Sequence, residues 1–133
     1  MDIYQISQAL VLNCYQITKL FPNEEKFALV QQIRRAAISV HLDLAEGCCR
    51  ISMQERKRFF EISRGSVIEI DTAFGLAHNL SYVTAGQLKP LEEIITRTFK
   101  ILGAMIKKSY SQSTTHYSQQ ATDYSSLTTH PPQ

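Results

Sequence analysis

Five cations lie within one short stretch: Arg50, Arg56, Lys57, Arg58 and Arg64. Guanidinium and ammonium groups at that density can hold the phosphates of a nucleic-acid backbone, with an affinity that falls steeply with salt. Glu55 and Glu61 stand among them, and Lys57 and Glu61 have i,i+4 spacing. A solvated helix face laced with ion pairs is therefore the competing reading. No aromatic platform is evident beside the cluster, so the chemistry it offers is phosphate contact with little base specificity. Arg34 and Arg35 invite a structural reading instead. If the helices on either side of residues 49–51 form an antiparallel hairpin, these arginines face Ser66 and Gly65, with Glu69 one turn away. The fork of an arginine suits a partly buried pair with that carboxylate. The small side chains at 65 and 66 suggest close helix approach there.

Other reactive residues form no site by spacing. Cys48 and Cys49 are adjacent, with His41 and Glu46 nearby in sequence. Adjacent cysteines lack the C-x₂₋₄-C spacing of a zinc site, so no metal is expected. His41, His78, His116 and His130 have no defensible spacing to a Ser or Cys nucleophile. The Glu-x-x-His pairs of di-metal helix bundles are missing, as are a P-loop and G-x-G-x-x-G. Glu24-Glu25 and Glu92-Glu93 read as exposed helix positions. These patterns argue against an enzyme and imply no cofactor.

The elements that must carry these residues are helices. The chain has 133 residues, 44% of them hydrophobic, and a net charge of +2, which suits one domain and by charge alone selects no partner. Ile3, Ile6, Leu10, Cys14, Ile17 and Phe21 recur at helical spacing. No charged residue occurs from Ile3 to Thr18. Such a helix is buried on more than one side, so helix 1 is expected to face another subunit as well as its own core. After Phe21-Pro22-Asn23, helix 2 is expected to open at Glu24-Glu25 and to stop at Gly47 through a left-handed cap. Its stripe is Leu29, Ile33, Ala36, Ala37, Val40 and Leu44. A capping box at Ser52–Glu55 opens helix 3. The expected stripe of helix 3 is Phe59, Ile62, Ser66, Ile70, Ala73, Ala77 and Leu80.

Thr84–Gln87 offers a second capping box for helix 4. Pro90 competes as a start, because a proline inside a helix loses a hydrogen bond. Leu91, Ile94, Ile95, Phe99, Leu102 and Ile106 form the last stripe. From Ser111 the chain turns to Ser, Thr, Gln, Tyr and His, which cannot repay ordering entropy alone. The expected organisation is an all-α, antiparallel up-down four-helix bundle over residues 1–110 with a flexible polar tail over 111–133. No run of 18 apolar residues occurs, so no membrane span is expected. An odd number of cysteines and an N-terminus without a basic start suit the cytoplasm.

The combination resembles a bacterial family, the four-helix bundle or 23S rRNA intervening-sequence proteins. The matching residues run from Phe21-Pro22 through Gln32-Ile33-Arg34-Arg35-Ala36-Ala37-Ile38-Ser39, Ala45-Glu46-Gly47, Arg50, Glu55, Arg58-Phe59 and Gly65-Ser66 to Glu69. Where the family often has Pro-x-Asn-Ile-Ala-Glu-Gly, this chain has His41-Leu42-Asp43-Leu44-Ala45-Glu46-Gly47. The resemblance implies an up-down bundle that assembles as a ring-shaped homopentamer. Two functional expectations follow. One is a non-enzymatic oligomer that binds RNA or DNA through the basic face of helix 3. The other is a protein-interaction scaffold without nucleic-acid binding.

Overall fold

The computed structural model describes the backbone of residues 2–123 and the side chains of residues 2–109. It contains α1 (Ile3–Thr18), a 3₁₀ turn (Asn23–Glu25), α2 (Leu29–Cys49), α3 (Met53–Asn79) and α4 (Ala85–Asp123). Packing runs around a square. The α1 helix packs on α2 and α4, and α3 packs on α2 and α4. Short connections between such neighbours make an up-down four-helix bundle. Each helix turns one stripe inward, including Ile6, Leu10 and Cys14 of α1 and Ile33, Ala37 and Val40 of α2. From α3 and α4 come Phe60, Val67 and Ile70, with Leu91, Ile95 and Leu102.

Local chemistry sets the helix ends. Asp2 caps α1 through a reciprocal box with Gln5, at 2.8 and 3.1 Å. Ser52 accepts from the Glu55 amide at 3.4 Å to open α3. Thr84 and Gln87 form the full capping box, at 2.9 and 3.1 Å, so α4 starts at Ala85 and Pro90 lies inside it. Proline forfeits one backbone bond there. Gly86, whose carbonyl would have accepted it, is exposed to water.

Several expectations are corrected. Glu24 and Glu25 lie in the 3₁₀ turn, not in the first turn of α2, which starts at Leu29. Gly47 is not a left-handed cap; it lies within α2, and the only positive φ among the described residues is 64° at Ser81. Ser81 ends α3. Its amide donates to the His78 carbonyl at 3.0 Å and that of Tyr82 to Ala77 at 2.9 Å, the two bonds of a Schellman motif. Gly47 serves close approach instead. A Cβ there would sit 2.6 Å from Cε1 of Phe60 and 3.1 Å from Cβ of Phe59. A Cβ at Gly65 would meet nothing within 4 Å, so the close approach of α2 and α3 is at Gly47 and not at Gly65.

The inward stripe of α3 is also rotated by one position at most places, to Phe60, Ser63, Val67 and Phe74, while Ile70 and Ala77 point inward as expected and Leu80 is exposed. Ser63 is buried because its hydroxyl donates to the Val40 carbonyl at 2.8 Å, while Ile62 stays exposed. On α4, Phe99 is exposed and Thr98 is buried, its hydroxyl satisfied by the Ile94 carbonyl at 2.7 Å. The α4 helix runs to Asp123, so the backbone of residues 111–123 continues it where composition suggests a tail. No Gly or Pro interrupts that stretch, and adding one residue to an existing helix is far easier than starting one. Residues 124–133 of the expected tail lie outside the described residues.

Candidate nucleic-acid interface

The five cations follow from the α2–α3 turn and the first three turns of α3, but they do not share one face. At about 100° per residue, Arg56 falls on the same side as Phe60, Ser63 and Val67, the buried side. Its guanidinium lies 6.0 Å from the centre of the Phe60 ring. Its Nε is buried and has no hydrogen-bond partner among the described residues. Lys57 and Arg64 lie about 20° apart on one flank, and Arg58 projects about 160° from Arg56. Arg50 caps the end of α2, where it pairs with Glu46 at 2.9 Å and lies 5.0 Å from the Phe59 ring centre. Lys57 approaches Glu61 at 3.9 Å. Such exposed i,i+4 pairs contribute only a few tenths of a kcal/mol, so they leave the cations open to competing anions. Arg58 is exposed and Arg64 half-buried, and neither forms an ion pair among the described residues.

The expected pair of Arg34 or Arg35 with Glu69 is not made. Glu69 instead accepts a hydrogen bond from Gln32 across the α2–α3 hairpin. Arg34 turns the other way, toward the end of α1. Its Nε donates to Thr18 Oγ1 at 3.0 Å and its Nη2 to the Tyr15 carbonyl at 3.2 Å. Its guanidinium lies 4.5 Å from the Tyr15 ring centre. The last carbonyls of a helix lack intrahelical donors and carry partial negative charge, so a cation is well placed there. Arg35, one residue on, is exposed. The hairpin register itself is close to the expected one; the α1 terminus, invisible to hairpin reasoning, captures the arginine.

A Ser–His contact escaped sequence reasoning because 34 residues separate its members. Ser7 Oγ lies 2.6 Å from His41 Nδ1, and the Tyr4 ring packs on the imidazole at 4.6 Å. It is a structural link. The Ser7 hydroxyl donates to the Tyr4 carbonyl at 3.0 Å, which leaves Nδ1–H as the donor to Ser7. Ser7 is also fully buried, out of reach of any substrate. Among the described residues no group of three His, Cys, Asp or Glu side chains could hold a metal ion. Cys48 and Cys49 are exposed thiols, whereas burial pushes the Cys14 thiol up to about 12.

Large apolar side chains remain in water on the outer face of α1 and α2. Tyr4, Leu12, Ile38 and Leu42 are among the exposed residues. No described helix is long and apolar enough to cross a membrane. A second exposed apolar region lies along the α3–α4 groove, about 470 Å³, where Ile68 and Phe99 flank Asp71 and Glu92.

A family model described as 23S rRNA-intervening sequence protein matches residues 1–104. No curated protein matches significantly. Among solved structures, the chain is similar to a protein of unknown function from the S23 ribosomal protein family of Bacteroides thetaiotaomicron VPI-5482. The TM-score is 0.74 at 21% identity, covering 80% of this chain and 99% of the other. At that identity the likeness concerns the fold.

Proposed function

The chain belongs to the 23S rRNA-intervening sequence protein family, and from that premise we propose that it is a non-enzymatic, self-associating bundle that contacts the phosphate backbone of RNA or DNA. The observation that carries the reading is the exposure of four large apolar side chains of α1 and α2, Tyr4, Leu12, Ile38 and Leu42. A lone bundle leaves these side chains in water, and a second copy would bury them. Burying one such side chain is worth about 1.5–3 kcal/mol. The family resemblance implies a ring of five. Assembly also matters for charge. Between Glu46 and Arg64 five cations face only three carboxylates, Glu46, Glu55 and Glu61. Spread around α3, these cations hold phosphate weakly in one copy, and symmetric repetition would add avidity. Arg58 and Arg64 are the best-placed phosphate contacts, with Arg50 and Lys57 beside them. Arg56, turned toward Phe60, contributes least.

Light scattering on the full chain tests the assembly. A mass that is a multiple of 15.1 kDa is expected, falling to one chain in Leu12→Glu/Leu42→Glu. A monomer at tens of micromolar would refute self-association. For nucleic acid, binding to a structured RNA and a DNA duplex is followed across a salt series. Salt-sensitive binding that Arg58→Glu/Arg64→Glu abolishes is the expected result. In the scaffold reading the exposed apolar side chains receive a protein partner and the cations of α3 serve only solvation. Assembly without binding at low salt would establish it over the nucleic-acid reading.

A further inference from the structure

The segment joining the 3₁₀ turn to α2 leaves Phe27 unusually open: it is 83% exposed. It borders a groove of about 440 Å³ between α1 and α2 whose walls include Tyr15, Lys26, Gln31, Arg34 and Arg35. That volume is within the roughly 300–1,000 Å³ of typical small-ligand sites. Three of the lining residues are cations and none is a carboxylate. No ion pair neutralises Lys26, Arg34 or Arg35 among the described residues. Lys26 Nζ lies 5.5 Å from the Phe27 ring centre. Arg34 is held by Thr18 and the Tyr15 carbonyl, with its guanidinium against the Tyr15 ring. The groove therefore joins an open aromatic ring, a fixed guanidinium, two further cations and, at Gln31, an amide.

We propose that this groove binds unpaired nucleotides, one base stacking on Phe27 while Lys26 and Arg35 hold the flanking phosphates. Sites for single strands combine aromatic rings on which bases stack with cations that follow the backbone. An acidic peptide would answer the charge but would leave the open ring without a flat partner. RNA and DNA present the same base faces and phosphates, so the shared ligand is a single strand of either. This site is separate from the cations of α3. Those contact backbone charge alone, which is densest on a duplex, whereas a stacking site needs bases that are not already paired.

The chain has no tryptophan, so Phe27→Trp places one fluorophore in the groove. The full-length variant is titrated at low salt with twelve-nucleotide oligo(U) and oligo(dT) and with a DNA duplex of equal length. Both single strands are expected to quench the emission, the duplex much less. Quenching by only one single strand would assign the site to RNA or to DNA. In Phe27→Ala, single-strand affinity measured by anisotropy of a labelled strand is expected to fall about tenfold, within the range for losing one stacked base, with duplex binding kept. Arg35→Glu should weaken single strands similarly, and quenching should persist in Phe27→Trp/Arg58→Glu/Arg64→Glu, which separates this site from the α3 reading. Emission indifferent to both single strands would overturn the proposal. So would Phe27→Ala that binds them as the parent does, or that changes only the oligomer mass, which would assign the groove to contact between copies.

Discussion

Gly47→Ala should destabilise the bundle although it replaces the poorest ordinary helix former with the best. Alanine gains about 1 kcal/mol over glycine inside a helix. At Gly65 and Gly75 that gain should be realised, because a Cβ there meets nothing within 4 Å. At Gly47 the new methyl would lie 2.6 and 2.9 Å from two ring carbons of Phe60, about 0.5–0.8 Å inside the shortest ordinary contact of 3.4 Å. The ring has little room to withdraw, since Phe60 is 1% exposed, and Cβ of Phe59 at 3.1 Å crowds the methyl as well. Overpacking of a filled core costs about 1–3 kcal/mol. Subtracting the helix gain leaves a net loss centred near 1 kcal/mol. For a domain of this size that lowers Tm by about 5 °C, while Gly65→Ala raises it by a similar amount. Thermal melts followed by circular dichroism at one protein concentration give both numbers, and the fixed concentration removes the mass-action effect of assembly. Phe60→Leu in the Gly47→Ala background should cost less than the sum of the two single changes. A Gly47→Ala variant that melts with Gly65→Ala, above the parent, would refute the close-approach argument.

Two further predictions concern ties and thiols. Arg34→Ala should lower stability by about 1–3 kcal/mol, the range for losing hydrogen bonds from a charged donor. Glu69→Ala, which loses one exposed contact with Gln32, should stay within about 0.5 kcal/mol of the parent; urea titrations that rank the two the other way would restore the Arg–Glu69 pair. A thiol reagent at pH 8 should modify Cys48 and Cys49 rapidly and Cys14 only on unfolding, because burial keeps Cys14 protonated up to about 12. Three fast thiols in the native protein would contradict the α1 packing.

The sequence alone determined the number of helices, the start of α3 at the Ser52 cap and the up-down order, because these depend on local spacing and capping. The Ser52 and Thr84 caps and the Pro22 break act within one turn, so their effect can be read without knowing what lies across the core. The α2 stripe was legible for the same reason: Ile33, Ala36, Ala37, Val40 and Leu44 recur at helical spacing, and all five are buried. On α3, two apolar series overlap, and spacing could not choose between Phe59-Ile62 and Phe60-Ser63. Gly47 opposite Phe60 and the Val40 carbonyl opposite Ser63 made that choice. The candidate sites were less legible still. A run of cations in sequence is spread around a helix by its 100° turn per residue, so Arg56 turned inward while Arg58 turned out. Arg34 was captured by the end of α1, and the groove at Phe27 gathers residues from α1, the connection and α2. Contacts between distant segments are set by which helix ends meet across the bundle, and only the tertiary structure decides that.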